Sequence, residues 1–245
     1  MNVPAATVSR TDGAPARPAL LGEVLVIGVL LFAYDHIKRI AHSRPTAAES
    51  HGRSLLRIER AIGIDIERSF NSWLTGHHVL SLAASYSYEL LWWSTALAVL
   101  VVAYCWCPVQ YRRLRNTLVV INLAALVVFF AWPVMPPRLL AGSGFVDSVA
   151  NAGFGAKHVG PLPADQYAAM PSLHAAWAVF TGWAVWVMSP RWELRVIAVL
   201  LPMVTIVDVM ATGNHYLLDA VAGVALAGVA AWSVSLAMAT SGPRF

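Results

Sequence analysis

The chain has 245 residues, of which 58% are hydrophobic and only 12% charged, too few polar groups to cover a water-soluble domain of this size. A net charge of +4 without any Lys/Arg-rich run sets nucleic acid aside and suits anionic lipid headgroups. The bilayer is therefore the expected solvent, and the 10 Trp residues suit its interfaces. Residues 1–18, rich in Ala, Pro, Thr and Arg, are expected to form a disordered tail. Residues 19–245 are expected to be one all-α, membrane-embedded domain.

The first apolar run, Ala19 to Tyr34, resembles a signal-peptide core. No small-x-small cleavage site follows it, whereas Asp35, His36, Lys38 and Arg39 do, so it reads as a retained first span despite Glu23. Next, Leu55, Ile58, Ile62, Ile66, Phe70 and Trp73 recur at three- and four-residue steps among charged residues, which predicts an amphipathic helix over 53–74. Resting at the membrane interface and packing on protein are equally open to it. Further apolar segments run from Val79 to Trp106, Leu118 to Val134, Pro171 to Met188, Val196 to Met210 and Tyr216 to Met238. The expectation is a six-transmembrane-helix bundle with an interfacial helix. Cys105 and Cys107 are too close for an ordinary disulfide and read as reduced thiols.

Arg112, Arg113 and Arg115 are expected in one short loop, and Arg191 and Arg195 in another, both cytoplasmic. Both termini are then cytoplasmic, and the outer loop 136–170 and the Asp208–His215 turn face outward. The Arg-containing segment after the first span also falls outside, against the charge bias. Its acidic residues balance much of that charge.

Polar residues that an apolar bundle does not need cluster at this outer face. Pro171 and Ser172 suit the first turn of a helix, where free N–H groups make an anion site; Ser172 can donate to a phosphate oxygen and His174 can move a proton. A simple helix cap is the competing reading. His215 and Asp219, four residues apart, share a helix face, so the carboxylate can hold one ring nitrogen protonated while the other attacks. A structural His–Asp bond is the alternative. Arg138, after two prolines, can grip phosphate oxygens or snorkel to the interface. Asp208, Asn214 and Lys157 are accessory candidates, Lys157 together with His158 adding positive charge from the loop.

The segments MPPRLL, MPSLHAAWAVF and ATGNHYLLDAVAG resemble the three motif regions of the type-2 phosphatidic acid phosphatase superfamily. The likeness is to the branch containing fungal inositol phosphorylceramide synthase and its actinobacterial relatives, and it runs from about Ser54 to the C-terminus. It is specific in the second and third segments, where P-S-x-H and H-x3-D stand in order. The resemblance implies that His215 attacks phosphorus, Asp219 orients it, His174 protonates the leaving alcohol, and Ser172 and Arg138 bind phosphate. Against the phosphatase pattern, Ala131 replaces Lys, Leu139 replaces Pro, Leu173 replaces Gly, and Asp208-Val209 replace Ser-Arg. Two phosphate-binding cations are thereby missing, which suits a singly charged phosphodiester donor better than a dianionic monoester.

The expected activity is a phosphatase or phosphotransferase acting on a phospholipid or polyprenyl (di)phosphate at the extracytoplasmic face of a bacterial plasma membrane, without metal or cofactor. An inositol phosphorylceramide synthase-like transfer to a lipid or polyol alcohol is one alternative. A non-catalytic protein that binds or moves an anionic lipid is another. A metal site built from His174, His215 and Asp219 is disfavoured, because it lacks the compact ligand set of hydrolytic centres.

Overall fold

The computed structural model describes residues 17–153 and 167–240, and every regular element among them is a helix. In chain order these are α1 (Leu20–His42), α2 (Pro45–Ile62), α3 (Glu67–Thr75), α4 (His78–Trp106), α5 (Pro108–Ala131), α6 (Ser148–Asn151), α7 (Leu173–Met188), α8 (Trp192–Ala211) and α9 (Leu217–Thr240). A 3₁₀ turn, Pro137–Leu139, follows α5. Most of the N-terminal tail, together with Lys157 and His158, lies outside the described residues.

Helices α4, α5, α8 and α9 are long and apolar enough to cross a membrane, and the chain is an integral membrane protein. Of the six spans expected, these four meet the requirement; α7 and the apolar part of α1, Leu20–Tyr34, are shorter. Helix α7 sits at the centre, packed against α4, α5, α8 and α9. Its small residues allow this: a Cβ on Gly182 would stand 2.2 Å from the Ala198 carbonyl oxygen, and Ala175, Ala176, Ala178 and Ala184 are fully buried. Where lipid competes equally for apolar surface, close backbone approach is what joins helices.

The basic residues are placed differently from expectation. Cys107 alone separates α4 from α5, because Pro108, lacking an N–H, suits the first position of a new helix. Arg112, Arg113 and Arg115 therefore lie within α5 rather than in a loop, and Arg195 lies within α8. There they find partners: Arg115 Nη1 is 2.9 Å from Glu23 Oε1, Arg113 Nε donates to Ser235 Oγ at 2.9 Å, and the Arg195 guanidinium covers the Trp186 ring at 4.7 Å. Tyr111 donates to the other Glu23 oxygen at 2.8 Å. Glu23, the residue that argued against a first span, thus ties α1 to α5.

The predicted single amphipathic helix is two. Gly63, at φ 73°, ends α2 in the left-handed conformation, and the N–H groups of Gly63 and Ile64 bond back to Arg60 and Glu59, the arrangement that closes many helices. The buried face also differs from the predicted stripe. Ala48, Gly52, Leu55, Leu56 and Glu59 face the bundle, whereas Ile58, Ile62, Ile66 and Trp73 are exposed. A Cβ on Gly52 would meet the Met135 carbonyl at 2.5 Å, so only glycine lets α2 seat this closely. Met135 N–H in turn donates to Ala48 at 3.0 Å.

Candidate active site

The starts of α7 and α9 are held together by backbone. Ser172 N–H donates to the Asp219 carbonyl at 3.0 Å, and a Cβ on Gly223 would stand 2.2 Å from the Ser172 carbonyl oxygen. Ser172 caps α7, its Oγ accepting from Ala175 N–H at 3.3 Å. His174 lies in the first turn of α7 and His215 just before α9, so the two rings meet. His215 Nε2 is 3.3 Å from His174 Nδ1, and the rings are edge-on at 5.3 Å between centroids.

The other nitrogen of His215 has two acceptors in reach. Nδ1 lies 3.1 Å from the Ala169 carbonyl oxygen and 3.2 Å from Asp219 Oδ1. The hydrogen-bond direction favours Ala169, since Oδ1 accepts no aligned bond; Oδ2 takes Tyr216 N–H at 3.0 Å. A ring nitrogen facing two acceptors carries the proton, which leaves the lone pair on Nε2. Burial lowers the His215 pKa to about 3, with the Arg138 charge adding and the Ala169 bond opposing. At neutral pH the ring is therefore uncharged, with Nε2 free to act as a base or nucleophile.

Arg138 arrives from the turn after α5. Its N–H bonds to the Gly213 carbonyl at 3.0 Å, its Nε donates to Asn214 Oδ1 at 2.7 Å, and its Nη1 reaches Asp147 Oδ2 at 2.5 Å. Asp147 is itself fixed as the cap of α6, accepting from Ala150 N–H at 2.9 Å. Tyr88 of α4 stacks on His174 at 4.4 Å between centroids, and Trp92 meets it edge-on at 6.0 Å. A cavity of about 60 Å³ lies among Tyr34, Tyr88, Phe129, His174, Asn214 and His215, far below the roughly 300–1,000 Å³ of small-molecule pockets. Among the described residues, no group of three or more His, Cys, Asp or Glu side chains is placed to hold a metal ion.

With this geometry in view, the comparison with known families is decisive at the coarse level, since residues 53–233 match the PAP2 superfamily. The chain belongs to the PAP2 superfamily. No curated protein and no solved structure matches it. PAP2 proteins are generally phosphatases and phosphotransferases, so this is an enzyme of that broad class, with phosphatase-type activity on lipid phosphates as its coarse function.

Within the part that matches the PAP2 superfamily, the structure brings Arg138, Ser172, His174, Asn214, His215 and Asp219 to one end of the bundle. Asp208 is buried in the last turn of α8, where it faces Ser87 of α4. Lys157 lies outside the described residues. Four contributors were missed by sequence reasoning. Tyr88, Trp92 and Asp147 carried no spacing signal, because each reaches the site from a segment read as plain span or loop. The Ala169 carbonyl, a backbone group, leaves no trace in residue identity.

Proposed function

We propose that this PAP2 protein transfers a phosphoryl-type group from a lipid phosphate through a phosphohistidine formed on His215. The observation that carries it is the placing of the His215 ring, with Nδ1 against the Ala169 carbonyl and Asp219 and Nε2 3.3 Å from His174 Nδ1. In the first half-reaction Nε2 attacks phosphorus, the bond from phosphorus to the lipid oxygen breaks, and that oxygen takes a proton from the imidazolium form of His174, leaving it neutral. The new N–P bond makes the imidazole cationic, a charge that Asp219 at 3.2 Å offsets. Water or an alcohol then gives a proton to His174, attacks phosphorus and breaks the N–P bond, which returns neutral His215. Arg138 and Ser172 bind the phosphate oxygens. Electrostatic stabilisation comes from Arg138 and backbone N–H groups, with no metal required.

A specific observation favours transfer of a phosphodiester headgroup, as in the inositol phosphorylceramide synthase-like branch. Arg138 is already paired with Asp147, and Ala131 and Val209 stand at the positions of two further cations, so the site has little positive charge left for a dianion.

We place the site on the extracytoplasmic side of a bacterial plasma membrane with both termini inside, since Arg113, Arg115 and Arg195 gather at the opposite end. Helices α1 and α7 complete a six-span bundle. The exposed Ile58, Ile62, Ile66 and Trp73 rest on the bilayer beside Arg57 and Arg60.

The test is turnover of detergent-solubilised protein on phosphatidic acid, polyprenyl diphosphate and phosphatidylinositol, with and without a lipid alcohol, followed by mass spectrometry. A new phospholipid formed only with the alcohol establishes transfer, and free phosphate establishes hydrolysis. Tight lipid binding without either product would overturn the enzymatic reading.

A further inference from the structure

Two carboxyl groups away from the histidines are fully buried: Glu59 of α2 and Glu67 of α3. Their side chains are within hydrogen-bonding reach of each other. Apart from Glu67's own backbone N–H, neither oxygen of Glu67, nor Oε2 of Glu59, has another hydrogen-bonding partner among the described residues. Ionised carboxylates only accept, so contact between the two requires a proton held between them. The remaining oxygen, Glu59 Oε1, accepts Leu218 N–H at 2.7 Å. Leu218 is in the first turn of α9, where N–H groups lack intrahelical acceptors, and the next residue is Asp219. Glu59 therefore caps, from another helix, the turn that carries the His215–Asp219 pair, while Asp219 Oδ2 takes Tyr216 N–H.

We propose that Glu59 is a positioning residue for the reaction at His215: through Leu218 N–H it holds the first turn of α9, and the proton it shares with Glu67 lets the acidic pair stand beside Asp219 without repulsion. The inference rests on His215 being the nucleophile. Burial raises both groups, Glu67 to about 8: at Glu67 its own backbone N–H opposes the rise while Glu59 and the Asp65 charge add to it, and at Glu59 the bonds to Leu218 and Glu67 oppose it while the charges of Asp219 and Asp65 add. The other groups facing the pair are Asp219 of α9 and Tyr216 just before it; Arg60 lies 3.6 Å from Asp65, and Asp208 on α8 faces Ser87 instead. Losing the shared proton leaves two carboxylates in contact and adds charge next to Asp219.

The experiment compares wild type, Glu59→Ala, Glu59→Gln and Glu67→Gln in detergent. It measures kcat and KM against pH, together with hydrogen exchange of the peptide covering residues 212–222. Glutamine at 59 still accepts from Leu218 and can donate to Glu67, so Glu59→Gln keeps kcat near neutral pH within about threefold of wild type. Glu59→Ala lowers kcat about tenfold or more with KM unchanged, and exchange at the start of α9 quickens by a similar factor. Wild type loses activity above about pH 8, and both Gln variants lack that limb. Unchanged kcat in Glu59→Ala, or an alkaline limb that persists in both Gln variants, overturns the proposal. If no phosphate ester turns over with any of the proteins, the reading of His215 fails and exchange alone decides. Faster exchange in Glu59→Ala but not Glu59→Gln then supports the cap, and equal exchange overturns it.

Discussion

Nε2 of His215 and Nδ1 of His174 stand 3.3 Å apart, although 41 residues separate them. With the His215 proton on Nδ1, the hydrogen between the rings belongs to His174. The pair is thus a lone pair facing an N–H donor at the point where phosphorus and its leaving oxygen must enter. A phosphoryl group cannot fit within 3.3 Å, so substrate binding must part the rings.

Replacing either histidine by alanine is expected to lower turnover by about 10³-fold or more while the protein still elutes as a folded species in detergent. Size-exclusion profiles and initial rates check this, and near-wild-type rates in either variant would sink the mechanism.

Because the folded-state pKa of His215 is depressed to about 3 by burial, the unfolded chain takes up a proton there as pH falls below about 6.5, before the folded chain does. The contribution to stability is complete above that pH and is lost progressively toward pH 3. Thermal unfolding in detergent should show a midpoint that falls with acidification over this window, and the fall should be smaller in His215→Gln.

Asp219→Asn is expected to slow the reaction by about 10²–10³-fold, the usual cost of removing one group that stabilises developing charge. The Ala169 carbonyl still receives Nδ1–H, so the tautomer survives and the loss falls on charge stabilisation of the phosphohistidine. Rapid-quench trapping of the phosphoenzyme should show a lower steady-state yield; an unchanged rate would return Asp219 to a structural role.

Asp147→Asn releases Arg138 from its 2.5 Å ion pair and makes the site one charge more positive. The expected outcome is a rise of several-fold in kcat/KM for a phosphomonoester relative to a phosphodiester, whereas Arg138→Ala should lower both by about 10²-fold or more. Parallel assays on the two ester types test this, and an unaltered ratio in Asp147→Asn would remove charge as the selector.

Gly223→Ala is expected to cost about 1–3 kcal/mol and to depress turnover. Its Cβ would meet the Ser172 carbonyl at 2.2 Å and push apart the starts of α7 and α9. Gly228→Ala, with open space around it, is the control. Unfolding midpoints for the two variants decide the matter, and equal midpoints would argue that α7 can shift freely.

Apolar periodicity and length in the sequence by themselves determined the helical, membrane-embedded class. Motif spacing was enough to single out His174, His215, Asp219, Arg138 and Ser172, since residues in one short segment share a helix face or a helix end whatever surrounds them. Tertiary structure decided what comes from distant segments. It set Tyr88 and Trp92 of α4 against His174, Asp147 against Arg138, and the Ala169 carbonyl against His215. It turned Glu59 inward and left Ile58, Ile62 and Ile66 outward, against the apolar stripe, because Gly52 lets α2 approach along a different line. Local spacing constrains only neighbours three and four residues apart on a helix; which faces meet is fixed by close packing at glycine and alanine and by buried hydrogen-bond partners, and neither is written in the period of a single helix.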